Sequence, residues 1–440
     1  MRKVKLLFVL FALLAMTSGV FAQTWTAQTI PVTSDLNSCW ATSTTVCWAC
    51  GPGSVVIKTT NGGTSWTSAA GNMPAATDLY TICGISDQIC WVGAGDGSLY
   101  KTTNGGTNWT FVSLPTPATA FVDVVHFFNA NTGFVLGDPV GGVWCYYWTT
   151  NAGTSWTFGP APTATGTEAG WNNSYAAIDT GHIWFGTNFS RIYKGGLRSG
   201  FTYGTTTSPY SFGMCFYDYN TGSAAMTTST PSVAGNVNTT NGGTTWTASG
   251  FTPANICFGM KSVPFSSTYG WMACGGSATA AGKIYRTTNK GTSWTEQTTS
   301  LATGKSFYAM SMFNVNCGWA VTGTAVTGGT NGGVFKYTDN ISLIGSNTNS
   351  TPTSFALNQN YPNPFNPTTT IDFSIAKASF VTLKVYDVLG NEVMTLINNE
   401  LKSANNYSYT ADFSKLSSGV YYYSIKAGDF TSTKKLMLIK

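Results

Sequence analysis

One octapeptide, repeated along the chain, limits what this sequence can fold into. Thr-Thr-Asn-Gly-Gly-Thr-Ser-Trp begins at Thr59, and near copies begin at Thr102, Thr149, Thr239 and Thr287. The closing tryptophans Trp66, Trp109, Trp156, Trp246 and Trp294 stand 43, 47, 90 and 48 residues apart. The 90-residue gap holds two periods, because "RIYKGG" from Arg191 keeps a strand of the missing unit and loses its turn. Ahead of each box run an apolar strand, a short turn, a second apolar strand often marked by Cys-Trp or Gly-Trp, a Gly-rich turn and a third strand. A period of about 40 to 50 residues with four short strands means sheets stacked in a ring. A single sheet of this kind leaves both faces uncovered, and a ring of neighbours covers them and removes the long free edges.

The last unit runs from Ser306 to "YTDN" at Tyr337 and stops short of its own Trp, whereas "QTWTAQT" from Gln23 supplies one at Trp25. A strand at Trp25 is therefore expected to complete the last sheet. The expected architecture is all-β: a seven-bladed β-propeller over residues 23–340. Composition agrees, since only 9% of the chain is charged against about 25% in ordinary domains. The abundant aromatics, 15 Trp, 21 Tyr and 26 Phe, favour strands.

The box chemistry is that of a turn. Asn61 can fold its side chain onto backbone N–H groups two residues on, Gly63 supplies positive φ, and Trp66 covers the blade edge. Burying that ring contributes about 2–3 kcal/mol. The same roles fall to Asn104, Gly106 and Trp109, to Asn151, Gly153 and Trp156, to Asn241, Gly243 and Trp246, and to Asn289, Gly291 and Trp294. The pattern resembles the Asp-box of the BNR repeat, in the form carried by photosystem II assembly factor and sortilin-like propellers. Asn stands where that family usually has Asp, so no metal is expected at these turns.

Residues 1–22 read as a secretory signal: Arg2, Lys3 and Lys5, an apolar run from Leu6, and the small-x-small site Val20-Phe21-Ala22. Export is expected, and no later run reaches the ~18 apolar residues of a membrane-spanning helix. Residues 23–345 carry 11 basic and 11 acidic side chains, with Arg191, Arg198 and Arg286 their only arginines. Without a basic stripe, nucleic acid is not an expected partner. The ten cysteines lie between Cys39 and Cys317. Cys39 with Cys47, and Cys83 with Cys90, are expected to form cross-strand disulfides. The sequence pairs none of the other six, Cys50, Cys145, Cys215, Cys257, Cys274 and Cys317. "CWAC" at Cys47 lacks the second ligand pair a zinc site needs, and neither a metal nor a cofactor is expected.

Catalytic patterns are sparse. Sialidases share the box and grip a carboxylate with an arginine cluster, which the spread of Arg191, Arg198 and Arg286 does not match. A glycosidase needs two carboxylates facing across a cleft. Asp138 in "LGDPVGG" and Glu168 in "GTEAGW" are the best pair on offer, and solvated loop carboxylates are the simpler reading. His126 and His182 fall in different repeats, and His126 in "VVHFF" reads as a packed strand residue. There is no G-x-S-x-G, phosphate loop or dinucleotide fingerprint.

A polar linker over residues 341–354 leads to residues 355–440, whose alternating runs predict a small immunoglobulin-like β-sandwich. This tail resembles the C-terminal sorting domain of type IX secretion cargo. The resemblance rests on Tyr361, Pro362, Asn363, Pro364, Phe365, Asn366 and Pro367, on Val385 to Gly390, on Leu416 to Tyr421, and on Lys434 and Lys435. It implies the type IX machinery as a partner and a secreted or outer-membrane-surface location. The function expected is non-catalytic binding of a glycan or protein, with Trp171 and Tyr210 as loop aromatics that can stack on sugar rings. A secreted propeller-type glycoside hydrolase would differ by a facing carboxylate pair at one mouth of the ring, and a structural or adhesion component by self-association.

Overall fold

The computed structural model describes residues 24–227, 234–263, 268–324, 332–339, 352, 354–360, 363–402 and 404–439. The expected signal segment, Tyr361, Pro362 and nearly all of the expected linker lie outside the described residues. Among those described, all helical and strand structure is strand.

Five four-stranded antiparallel sheets follow in chain order. The first holds Ser38–Ala41, Cys47–Gly51, Val55–Thr59 and Thr67–Ser68, and the second Leu79–Gly84, Cys90–Ala94, Leu99–Thr102 and Thr110–Val112. The third holds Val122–Phe127, Gly133–Val140, Val143–Thr149 and Thr157–Phe158, and the fourth Tyr175–Asp179, His182–Gly186, Arg191–Gly195 and Thr202–Thr205. The fifth holds Tyr210–Phe216, Gly222–Thr227, Ala234–Thr239 and Thr247–Ala248. An eight-stranded sheet then combines Cys257–Ser262, Gly270–Cys274, Ile284–Thr287 and Thr295–Thr299 with Thr24–Gln28, Gly333–Thr338, Cys317–Thr324 and Lys305–Asn314.

The N-terminal strand lies where the repeat count puts it. Thr24–Gln28 runs antiparallel to Gly333–Thr338, with Trp25 opposite Tyr337 and Ala27 opposite Phe335. It also makes a short parallel pairing, Thr24 with Thr298 and Trp25 with Thr299, which merges two four-strand runs into one sheet. That second pairing has no signature in the repeat.

Successive sheets share apolar clusters. Trp48 meets Ile82 and Val92, Trp91 meets Val125 and Val135, and Trp144 meets Ile183 and Phe185. Trp184 meets Met214 and Phe216, Tyr217 meets Met272, and Trp271 meets Phe307 and Phe335. The circuit closes where Trp319 and Val321 pack with Ala49 and Ile57. Because both faces are covered, second strands such as Cys47–Gly51 and Cys90–Ala94 are buried at every position and read as continuous runs, without alternation.

The box turn is built from local hydrogen bonds of the same form in every copy. Asn61 Oδ1 accepts from the Ser65 backbone N–H (2.9 Å), four residues on where two were expected. Thr59 Oγ1 accepts from the Gly63 N–H (2.9 Å) and donates to Asn61 Oδ1 (3.0 Å). Gly62 and Gly63 take φ of 72° and 86°, a region in which glycine has no steric penalty. The box tryptophans are buried between sheets, with the Trp109 ring edge-on to Trp48 and that of Trp156 edge-on to Trp91.

The residue just before three of the five boxes reaches the box of the next sheet. Lys58 Nζ donates to Gly105 O (3.0 Å), Lys101 Nζ to Ala152 O (2.8 Å) and Asn238 Nδ2 to Gly291 O (2.9 Å). Lys194 Nζ reaches Thr244 Oγ1 (2.5 Å), and Lys336 Nζ reaches Gly62 O (2.6 Å), latching the end of the circuit to its beginning. The lysines Lys58, Lys101 and Lys336 lie over Trp48, Trp91 and Trp319 at 4.6, 4.9 and 5.3 Å from the ring centroid, a cation–π geometry. Of the other two boxes, the third sheet's is preceded by Trp148, ahead of a sheet without a box, and the last is preceded by Arg286, which donates to Tyr337 Oη and Asp339 Oδ2 at 3.1 Å each.

The expected disulfides are corrected by the register. Cys39, Cys47, Cys83 and Cys90 are free and buried, and the bond formed is Cys257–Cys274. Cys83 is opposite Trp91 while Cys90 is opposite Gly84, a one-residue offset that sends the two thiols to opposite faces. Cys39 is opposite Ala49 and Cys47 opposite Ala41, so those thiols are diagonal neighbours on one face. Cys257 and Cys274 are directly opposite.

Residues Ala356 to Leu438 form two sheets on a core of their own. Ala356–Leu357, Thr368–Ile375 and Asn405–Asp412 make one, and Glu392–Lys402, Ser379–Tyr386, Gly419–Ala427 and Phe430–Leu438 the other. Ile371 and Phe373 of the first meet Val381, Leu383, Ile425 and Leu436 of the second. Burial alternates strictly along Ser379–Tyr386, as expected where one face is solvated.

Two outcomes follow. Alkylation in denaturant without reductant should label eight cysteines by intact mass, and six labels would show a second disulfide. Lys336→Met should cost about 1.5–3 kcal/mol in urea unfolding, the range for a hydrogen bond from a charged donor. Lys194→Met, at an exposed contact, should cost well under half of that, and equal losses would refute the closing role of Lys336.

Candidate functional site

The first strands of the sheets surround a central channel, and each of five breaks register near its start. The breaks fall at Leu79/Thr81, Val122/Val124, Ser211/Met214, Cys257/Gly259 and Phe307/Ala309. A bulge re-aims the side chain of the extra residue, and the residues inside the breaks are Tyr80, Asp123, Phe212 with Gly213, Phe258 and Tyr308. Gly213 and Gly259 let adjacent first strands close up: a Cβ on Gly213 would lie 2.6 Å from the Met260 nitrogen.

The aromatic side chains at these breaks form a collar. Ring centroids run from Trp171 to Phe212 (4.7 Å), Phe212 to Phe258 (5.5 Å) and Phe258 to Tyr308 (5.8 Å). Tyr210 stands edge-on to Trp171 at 5.7 Å, and Tyr80 pairs with Phe121 at 4.8 Å. All but the buried Phe212 are half-buried, so faces and edges remain accessible. The structure thus brings together Trp171 and Tyr210, which sequence reasoning singled out, and adds Tyr80, Phe121, Phe258 and Tyr308, which it missed. A readable signal existed, an aromatic just inside the start of four of the first strands, but its meaning depends on the bulge.

Asn173 bridges three sheets beside the collar. Its Nδ2 donates to Tyr80 O (3.0 Å) of the second sheet, and its Oδ1 accepts from Ser38 Oγ (3.1 Å) of the first. Its backbone N–H donates to Asp123 O (3.0 Å) of the third. The collar thus has a polar amide beside it, bonded to the Tyr80 carbonyl.

The proposed carboxylate pair has been brought to one loop with different environments. Glu168 is buried, and its Oε2 accepts from the Thr165 N–H (3.0 Å), Arg191 Nη1 (3.2 Å) and Tyr193 O–H (3.2 Å). A carboxylate so bound holds the loop and offers no open face to a substrate. Asp138 Oδ1 accepts from the Gly170 N–H (2.8 Å) and remains partly exposed. Its neighbour is Asp123, which sequence reading did not select. Asp123 is buried, its Oδ2 has no hydrogen-bond partner among the described residues, and a Cβ on Gly170 would lie 2.6 Å from that oxygen. Burial first, then the adjacent Asp138 charge, hold the Asp123 carboxyl well above the usual range, and burial also raises Asp138.

The histidines do not meet. His126 is packed, with Nδ1 3.2 Å from Tyr175 Oη, and burial followed by the Lys261 charge lowers its pKa to about 3, leaving it neutral. His182 pairs with Asp179 at 2.8 Å and stacks on Tyr219. The arginines are dispersed as well: Arg191 on Glu168, Arg286 on Asp339, Arg198 over Trp148.

In the tail, the sorting motif straps the segment before the first long strand to the last strand. Asn363 Oδ1 accepts from the Met437 N–H (2.9 Å), its Nδ2 donates to Lys435 O (3.3 Å), and Phe365 exchanges backbone bonds with Met437 and Ile439. The Phe365 ring is buried against Phe413. Lys435 is exposed and Lys434 half-buried.

Asp123 gives a pH-dependent outcome. A carboxyl with a raised folded pKa keeps a proton that the unfolded chain releases above about pH 4, so stability falls as pH climbs towards the raised value. Each unit of elevation costs about 1.4 kcal/mol above that window. Asp123→Asn should therefore gain stability over the parent at about pH 7.5 and little or none at about pH 4. A gain that does not change with pH in urea titrations would contradict the assignment.

Comparison with known proteins agrees with this geometry. Residues 359–440 match the family model described as the secretion system C-terminal sorting domain. No curated protein matches the chain in sequence. A solved structure of YCF48 bound to D1 peptide is similar over 72% of this chain and 97% of its own, at 13% identity and a TM-score of 0.54. YCF48 from Cyanidioschyzon merolae is similar over 71% and 98%, at 15% identity and 0.54. The WD40 β-propeller domain of Doa1 is similar over 72% and 96%, at 10% identity and 0.50. At these identities the likeness is one of fold. The chain is thus an all-β protein with a β-propeller fold, and its residues 359–440 are a type IX secretion C-terminal sorting domain, which directs it to the cell surface or the extracellular space.

Proposed function

We propose that the propeller is a non-catalytic binding module, displayed or released outside the cell, that takes a neutral glycan chain at the aromatic collar. The observation that carries this reading is the collar of Trp171, Tyr210, Phe258, Tyr308, Tyr80 and Phe121 with Asn173 beside it. Aromatic faces cover the apolar faces of sugar rings, and hydroxyl and amide groups beside them orient the sugar hydroxyls. Tyr80 and Tyr210 bring phenol hydroxyls to the rim and Asn173 brings an amide beside them.

In this reading residues 23–340 are the ring, 341–354 a linker and 355–440 a separate immunoglobulin-like sandwich. The eight-stranded sheet counts as two blades joined at their edges, which makes seven. Support comes from the apolar clusters, which join each four-strand unit to the next and the last to the first. Glu168, committed to Arg191 and Tyr193, supports binding over hydrolysis.

The test is a glycan array probed with the mature protein, followed by a turnover assay on each hit. Binding without turnover is expected, and Trp171→Ala or Tyr80→Ala should weaken it roughly tenfold, about 1.4 kcal/mol. Hydrolysis of a bound glycan would establish the enzyme reading instead, and undiminished binding by both variants would move the site away from the collar.

A further inference from the structure

The far end of the channel holds a second cavity, chemically unlike the collar. It has a volume of ≈ 240 Å³ and is lined by the later residues of the first strands of several sheets. Phe258 of the collar and Lys261 of this cavity lie on the same strand, three residues apart. The walls are largely apolar, with Trp40, Ile178, Met214, Phe216 and Met312 among them. Lys261, Ile178 and Ser262 are partly exposed, so the cavity opens to solvent.

Among the described residues, Lys261 is the one charged side chain in this lining. Its Nζ lies 4.7 Å from the centroid of the Tyr175 ring, and no carboxylate of the described residues lines the cavity. The ionisable groups around it are His126, Tyr175 and the thiols of Cys39, Cys83 and Cys215. Burial pushes Cys215 up to about 11, Cys83 up to about 12 and Tyr175 well above its usual value. With His126 neutral, neither Cys83, Cys215 nor Tyr175 offers a negative charge near neutral pH. A cation confined among apolar walls without a counter-charge is costly, and a bound anion removes the cost. Burial accordingly lowers the Lys261 amine below its ordinary pKa.

A second donor faces the same space. Ser311 Oγ accepts from the Ala41 N–H (3.0 Å), which leaves its own O–H to donate. Ser262, by contrast, spends its hydroxyl on Phe216 O (2.7 Å). One cation and one free hydroxyl match the two oxygens of one carboxylate. A phosphate dianion would bring a charge that nothing here neutralises. The volume lies below the about 300–1,000 Å³ of drug-sized pockets, which confines the ligand to a small molecule.

We propose that this cavity binds a small aliphatic monocarboxylate, with the Lys261 ammonium and the Ser311 hydroxyl on its carboxylate and the chain against the apolar walls. The proposal is independent of the glycan reading, since no residue of the collar lines this cavity.

The test uses the full mature chain and butyrate, with glucuronate and inorganic phosphate as comparison probes, by calorimetry and thermal shift. Butyrate should bind saturably, and its affinity should fall as pH rises through the Lys261 amine pKa. Lys261→Met should lower that affinity at least roughly tenfold. It should also melt no lower than the parent without ligand, because it removes an unpaired charge. Ser311→Ala keeps the charge and should lower the affinity severalfold, which guards against a folding defect in the first variant. No butyrate binding by the parent, or equal binding by Lys261→Met, overturns the proposal. Glucuronate or phosphate binding as tightly as butyrate overturns its choice of an aliphatic monocarboxylate.

Discussion

The pairing of Thr24–Gln28 with Gly333–Thr338 is the constraint on which the architecture depends. A linear stack of sheets ends in two uncovered faces, whereas a closed stack has none. Here Thr24–Gln28 lies between Thr295–Thr299 and Gly333–Thr338 in the eight-stranded sheet, burying Trp25 against Tyr337 and Trp271. Closure converts a set of individually unstable sheets into one cooperative unit, since each apolar cluster needs both of its sheets in place.

The box turn and the latch act on different parts of this problem. Within a sheet, Thr59 and Asn61 satisfy backbone N–H groups that the tight turn leaves unpaired, a local effect repeated in each copy. Between sheets, the side chain before the box donates to the carbonyls or hydroxyl of the next turn, so the box is also an acceptor site. This dual use explains why the sequence keeps the box so closely. The two departures, Trp148 and Arg286, both stand where the following unit has no box to receive a donor. Arg191, outside that pattern, fixes the loop that carries Trp171 and Asn173 by holding Glu168.

The first strands carry two chemistries. In the collar, bulged first strands turn aromatic side chains outward beside a polar amide, and in the second cavity a lysine stands among apolar walls. Both arise from the same strands, because the bulge near the start of a strand changes which residues point inwards. The sorting tail, folded on its own core, places these surfaces outside the cell.

Much of the fold was legible because its determinants are local. The repeat period, the turn residues and the alternation along the tail strands act within a few residues of each other, and the missing Trp of the last unit pointed to Trp25. What the sequence could not reveal depends on register. Cys83 and Cys90 read as neighbours, yet a one-residue offset separates their faces, while Cys257 and Cys274, 17 residues apart, come directly opposite. The convergence of Tyr80, Trp171, Phe258 and Tyr308, the pairing of Asp123 with Asp138, and the isolation of Lys261 were likewise decided by tertiary structure. Side-chain direction in a strand has a period of two, so one bulge reverses it, and only the cross-strand hydrogen bonds decide where a bulge forms.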